Sequence, residues 1–278
     1  MQAALYGTPG DNPELAAFGE GLGRFVWRHP HFWRDGEAEG FGLVVLSGMH
    51  GKNADIARAY AARDVPVLVL DAAYFRDAPG YWQVSLGGLN RPPLFDCPPG
   101  RFDALGLAIT PKGGNGKGPA LIALQRADDA SHGLSAMQVG VWAQSVGDGV
   151  IRPHPLDADV PPLADALAGA AVVHTLCSTI GIDALLAGVP AIADMPDNAA
   201  WGELSGPDLP SVADRRRLFS RLAYGQWTLD EMRSGECAAF VRDHLLPNVP
   251  MDMPEVGTDV PELGNEPKRR GRPRKVKA

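Results

Sequence analysis

The chain has 278 residues and a globular composition, 45% hydrophobic and 21% charged, enough to bury a sizeable core and to hold two domains of ordinary size. Its formal net charge is −7, but residues 268–278 hold seven Lys or Arg and no acid, so an acidic remainder of about −14 carries a basic tail. Three scattered cysteines (Cys97, Cys177 and Cys237) exclude a disulfide framework or zinc spacing, no basic-then-apolar leader opens the chain, and the most apolar stretch, 166–193, is broken by His174, Ser178, Thr179 and Asp183. A protein of a reducing, cytoplasmic compartment with no membrane partner is expected.

Along the chain, short apolar runs alternate with helical patterns. Gly42 to Leu46 reads as a buried strand, Ala54 to Arg63 as a helix and Val65 to Leu70 as a second, continuous strand. A β-α-β unit of this kind implies a parallel sheet. A Gly- and Pro-rich stretch follows from Gly87 to Gly118, and the segment 111–119 reads as a linker. The alternation then resumes, with strands at Ala120 to Leu124, Val150 to Arg152, Ala171 to His174 and Pro190 to Ala193. Helices precede Gln144 and cover Leu163 to Ala168 and Thr179 to Ala187. Arg215 to Leu246 is mostly helical, and the triple arginine 215–217 reads as an exposed helix face. From Pro247 onward the composition predicts disorder.

The expected fold class is therefore α/β, two doubly wound Rossmann-like domains facing a cleft. The expected boundaries are 1–110 for the first domain, 111–119 for the linker, 120–246 for the second domain with trailing helices, and 247–278 for a disordered tail.

Chemistry concentrates in the second half. His154 lies just past a strand, where open α/β sheets bind ligands, and Arg152 adds a fixed cationic fork. Ser178 and Thr179 open a helix whose unpaired N–H groups favour phosphate, and Asp183, one turn on, can accept from ribose hydroxyls. Each has a plainer reading, a helix cap for the hydroxyls or a surface histidine. Their recurrence at consecutive strand ends favours a binding site. In the first half, Asp71 and His50 follow consecutive strands and are the candidate bases. The aromatics Trp27, Phe32 and Trp33, interleaved with Arg24, Arg28 and Arg34, can stack on rings or form core with a basic edge.

The series Gln125-Arg126-Ala127-Asp128-Asp129-Ala130-Ser131, then Arg152-Pro153-His154-Pro155, then the run from His174 to Pro190 containing Ser178, Thr179 and Asp183, resembles bacterial capsule-type Kdo transferases. The resemblance implies a GT-B-like fold and a nucleotide-sugar donor held by Gln125, Asp129, Ser131, Arg152, His154, Ser178, Thr179 and Asp183. The family usually has Glu at the last of these. Val44 to Met49, the helix after it and then Val65 to Arg76 are similar to the family's strand-helix-strand that ends in Glu-Asp-Gly-Phe-x-Arg. Ala72 stands where that signature has its catalytic Asp, so Asp71 or His50 would have to supply the base. No cofactor beyond the co-substrate and no metal are expected.

In the tail, Lys268 to Lys275 resembles an AT-hook. Arg270-Gly271-Arg272-Pro273-Arg274 can lie extended in a narrow A·T minor groove, with arginines in its negative potential. A transferase body with a DNA-binding tail implies a glycosyltransferase that adds sugar to a hydroxylated base, such as a 5-hydroxymethylpyrimidine, in DNA of the bacteriophage type. The alternatives are a transferase acting on a surface glycan or lipid-linked sugar, and a non-catalytic DNA-binding protein on a degenerate transferase scaffold.

Overall fold

The computed structural model describes residues 2–248; the AT-hook-like residues Arg270, Gly271, Arg272, Pro273 and Arg274 lie outside the described residues. Four parallel strands, β1 (Ala3–Tyr6), β2 (Phe25–Arg28), β3 (Leu43–Ser47) and β4 (Val67–Ala72), lie in the order β2-β1-β3-β4, and β5 (Tyr81–Leu86) pairs antiparallel to β4. Helix α1 (Pro13–Leu22) connects β1 to β2, and α2 (Asn53–Ala61) connects β3 to β4. Helix α3 (Gly100–Ala104) falls within the stretch expected to be loop.

The second half repeats the plan. Strands β6 (Ala120–Ala123), β7 (Gly149–Arg152), β8 (Val172–Thr175) and β9 (Ala191–Ala193) form an all-parallel sheet in the order β7-β6-β8-β9. Helices α4 (Ala136–Val146), α5 (Leu163–Gly169) and α6 (Ile180–Leu186) make its crossovers. In both sheets the first strand sits between the second and third, so the winding direction reverses between them. Crevices at such reversals, outside the carboxyl ends of the strands, are where open α/β sheets bind ligands. This is the expected α/β architecture of two Rossmann-like sheets.

The chain then returns. Helix α7 (Val212–Tyr224) leads to β10 (Gln226–Thr228), which pairs antiparallel with β5, so the last strand belongs to the first sheet. Helices α8 (Leu229–Ser234) and α9 (Glu236–Phe240) pack against α1. The trailing helices thus sit on the half opposite the one that precedes them in sequence. Alternation along the strands divides the first core by face. Leu5, Val45 and Leu68 meet the α1/α8/α9 layer, while Tyr6, Val44 and Val69 meet α2. A third core spans both halves, joining Tyr74, Phe75 and Phe102 to Ile122, Val173, Trp201 and Phe219.

Two sequence expectations change. Arg215 is not on an exposed face: it is fully buried, and its guanidinium donates to the carbonyls of Pro210, Thr110, Leu185 and Pro111 at 3.1, 2.9, 2.6 and 3.0 Å. Only Arg216 and Arg217 of that run reach solvent, near Asp103 and Asp96. The glycines of 111–119 do join the halves, but Gly113, Gly114 and Gly118 lie against neighbouring backbone rather than loose. A Cβ on Gly113 or Gly118 would come within 2.0 Å of the Ala187 carbonyl oxygen or 2.1 Å of that of Gly169.

Because Arg215 is the donor for four carbonyls, Arg215→Ala should cost about 3–5 kcal/mol of stability. Urea denaturation of the two proteins measures it; a loss below about 1 kcal/mol would mean that water replaces the clamp.

Candidate functional site

On the first half, β3 ends in a turn that requires left-handed backbone at Gly48 (φ 62°) and Gly51 (φ 58°). Asn53 pins it by donating to the carbonyls of Ser47 (2.8 Å) and Gly48 (3.1 Å). Glycine at 48 leaves open the space between Asp71 and His50, since a Cβ there would lie 3.5 Å from both Asp71 Oδ2 and His50 Cδ2. Successive strand residues face opposite ways, so Asp71 and Ala72 diverge. Asp71 is the one turned toward His50 and toward Asp129 of the second half, while Ala72 is exposed. Burial raises the Asp71 carboxyl above the usual carboxylate range and the Asp129 charge adds to this; the Ala72 N–H, donated to Oδ1 at 2.7 Å, and the nearby His50 oppose it.

On the second half, Gln125 occupies the reversal between β6 and β8. Its Oε1 accepts from the Cys177 N–H (2.7 Å) and the Thr175 hydroxyl (3.3 Å), and its Nε2 donates to Ser131 Oγ (3.3 Å). Ser131 donates from both N (2.8 Å) and Oγ (2.6 Å) to Asp129 Oδ1. Gln125, Asp129 and Ser131 therefore form one internally bonded loop that closes onto the segment before α6. Gln125 shapes this rim by binding the chain, with both ends of its amide occupied.

His154 accepts from the Leu156 N–H on Nδ1 at 3.2 Å, so in the neutral imidazole the proton sits on Nε2, a donor. Arg152 spends one guanidinium N–H on the Pro161 carbonyl at 2.8 Å. Ser178 Oγ accepts from the Ile180 N–H at 3.3 Å, and its carbonyl accepts from Trp201 Nε1 at 2.8 Å. Gly181 allows that indole to sit against α6, because a Cβ there would lie 2.0 Å from the ring.

Arg76, not among the expected site residues, crosses between the halves. Its Nε lies 3.0 Å from Asp183 Oδ2, a close ion pair without hydrogen-bond alignment, and its Nη2 donates to Thr179 Oγ1 at 3.4 Å. Asp183 thus faces a cation from the opposite half at the position where a ribose partner is expected. Burial pushes its carboxyl up to about 6, against the lowering charge of Arg76 and with a raising one from Asp77. Asn90 and Asn198 make a second crossing: Asn90 donates to the Asn198 carbonyl (3.0 Å), and Asn198 donates to that of Ser131 (2.9 Å). Among the described residues no group of three or more His, Cys, Asp or Glu is placed to hold a metal ion, and no helix is long and apolar enough to cross a membrane.

The sequence matches no family model and no curated protein. The solved structures that match it include two transferases. The beta Kdo 2,7 transferase of Thermosulfurimonas dismutans KpsC shares 11% identity at a TM-score of 0.48, covering 85% of this chain and 98% of that one. The beta Kdo 2,4 transferase of the same protein shares 14% at a TM-score of 0.47, covering 81% and 90%. At these values the architecture is read from the two sheets themselves.

Asp183 supplies a pH test. Its native value of about 6 lies above the ordinary 3.8, so the native state holds this proton more tightly than the unfolded chain. The resulting stability is present below pH 4 and is lost as pH rises through about 6, by at most about 3 kcal/mol. Asp183→Asn should flatten that part of the curve when melting temperature is followed from pH 4 to 7. An unchanged slope would mean that Asp183 ionises normally.

Proposed function

We propose that the protein is a glycosyltransferase that uses a nucleotide-sugar donor. The observation that carries this reading is the facing of two sets of strand ends: Asp71 and His50 on one sheet against Asp129, Thr179 and Asp183 on the other, with Arg76 crossing between. The donor lies against the second half. His154 Nε2–H and the guanidinium of Arg76 stabilise the leaving phosphate as the bond from the sugar's anomeric carbon to phosphate oxygen breaks. The acceptor hydroxyl forms the new bond to that carbon and gives its proton to Asp71 or His50. A carboxylate raised by burial suits this task, because general bases act best with pKa values close to the working pH.

For the acceptor, the described residues favour a glycan, since an aromatic cavity with carboxylates opens on the same sheet edge as His50. The second reading is a hydroxylated base in DNA, favoured by Arg270 to Arg274, whose Gly-Arg-Pro core suits a minor groove.

Mass spectrometry of glycan and 5-hydroxymethylpyrimidine DNA acceptors, incubated with a panel of nucleotide sugars, tests the activity. Asp71→Asn or His50→Gln should lower turnover about 10²–10⁴-fold with donor affinity kept. His154→Ala should weaken nucleotide binding by about 1–3 kcal/mol in calorimetry. Transfer to no acceptor, or full turnover in both base variants, contradicts the assignment. Deleting residues 268–278 should raise KM for duplex DNA at low salt with kcat unchanged if DNA is the acceptor; an unchanged KM removes that reading.

A further inference from the structure

The structure holds a cavity that the transfer chemistry does not use. It lies at the carboxyl ends of β1 and β2 and encloses about 190 Å³, with Trp27, Phe32, Trp33, Tyr60, Glu37 and Glu39 among its lining. We propose that it is a binding subsite for one uncharged, hydroxyl-bearing pyranose ring of a glycan acceptor. This use of the ring rests on the glycosyltransferase reading; the binding itself does not.

Size sets the first limit. Pockets for drug-sized ligands enclose about 300–1,000 Å³, so this one takes a single ring. The walls set the second. Trp33 is buried and its indole N–H is spent on the Glu37 carbonyl at 2.7 Å, leaving its ring as an apolar wall. Phe32 is 78% exposed at the rim, in tilted contact with His29 and edge contact with His31 at centroid distances of 5.3 and 5.5 Å. An exposed phenyl ring beside a cavity is a face on which the apolar C–H side of a sugar can rest.

The polar groups decide between ligand classes. Arg28 is consumed: Nε and Nη2 donate to the two Glu39 oxygens at 2.7 and 2.6 Å, and Nη1 donates to the Trp27 carbonyl at 3.1 Å. Lys52 is committed to the carbonyls of Trp33 and His31 at 2.9 and 3.4 Å. His29 also lines the cavity: its Nδ1 accepts from the His31 N–H at 3.1 Å, so its neutral ring offers Nε2–H to a ligand oxygen, while neither Arg28 nor Lys52 is left for a phosphate or a carboxylate. The Glu37 carboxylate has no ion pair among the described residues, and a carboxylate only accepts, so the ligand must bring hydroxyl or amine donors. A base within DNA would carry its phosphodiesters up to the Glu37 carboxylate, with repulsion.

Position relates the cavity to the reaction. Asp71 ends β4, and the sheet order is β4-β3-β1-β2. Strands lie about 4.8 Å apart, so the cavity sits roughly 10–14 Å from Asp71 along the same edge. That is too far for the ring that reacts, but within reach of another ring of the same chain. Lys52 ties the loop bearing His50 to the segment bearing Phe32, so the two parts of the edge hold a fixed spacing.

Tryptophan fluorescence of the full-length protein tests this, with methyl α-glucopyranoside, methyl β-glucopyranoside, methyl β-galactopyranoside, deoxycytidine monophosphate and choline as probes. At least one glycoside should give a saturable change that Phe32→Ala weakens; choline should give none, and any change with deoxycytidine monophosphate should be the same in Phe32→Ala. Phe32→Ala and Glu37→Gln should each weaken the glycoside about tenfold or more, because a charge-assisted hydrogen bond or a stacked face is lost, while His154→Ala leaves it unchanged. Both substituted side chains are exposed, and equal melting temperatures verify the folds. No saturation by any glycoside, equal affinity in the variants, saturation by choline, or saturation by deoxycytidine monophosphate that Phe32→Ala abolishes overturns the proposal. Calorimetry with nucleotides on the same preparations reads the donor site separately. Glycoside binding without nucleotide binding would sink the transferase reading and leave the subsite standing.

Discussion

Burial of Tyr74 and Phe75 fixes both ends of the segment that faces the cleft. The Tyr74 hydroxyl lies 2.9 Å from Ser85 Oγ, and the N–H groups of Tyr74 and Phe75 donate to Gln226 Oε1 at 3.1 and 3.4 Å. Phe75 packs on Phe102 and Phe219 at 5.7 and 5.9 Å in the core shared by the two halves. Upstream, this anchor holds Asp71 at the end of β4; downstream, it delivers Arg76 to Asp183 and Thr179. The returning strand β10 contributes the glutamine, so the last part of the chain sets the geometry of an edge built by its first quarter.

Magnitudes show which contact holds the halves. Arg76 is 44% exposed in its ion pair with Asp183, and pairs of that exposure contribute about 0–1 kcal/mol. Burying Phe75, Phe102 and Phe219 contributes several times more, at about 1.5–3 kcal/mol for each such side chain. The shared core therefore sets the spacing of the two sheets, and Arg76 tunes charge within the gap. Asp183 is held close to the pH at which it changes charge, so a cation or a hydroxyl donor placed beside it shifts its proton as well as binding it.

Strands that carry paired or alternating valines were legible: β3, β4 and β8 lie within two residues of their expected bounds. Strand β1, Ala-Ala-Leu-Tyr, carries no β-branched residue, and β10 has three residues, so neither announces itself by pattern. The motifs at the strand ends were legible because parallel sheets bind ligands at those ends, whatever the side chains between. What those side chains touch was not. Gln125 closes on Cys177 across 52 positions, and Arg76 meets Thr179 across 103, which no local spacing encodes. Arg215 was misjudged for a related reason: a triple arginine reads as surface unless the carbonyls that surround its first member are known.

Hydrogen–deuterium exchange, measured with and without a saturating nucleotide sugar, tests most directly that one ligand lies between the two sheets. The account predicts added protection in 125–133 and 174–183 together with 48–52 and 71–77, on both sides of the cleft at once. Protection confined to one sheet, or absent from both, would contradict a donor held between facing strand ends.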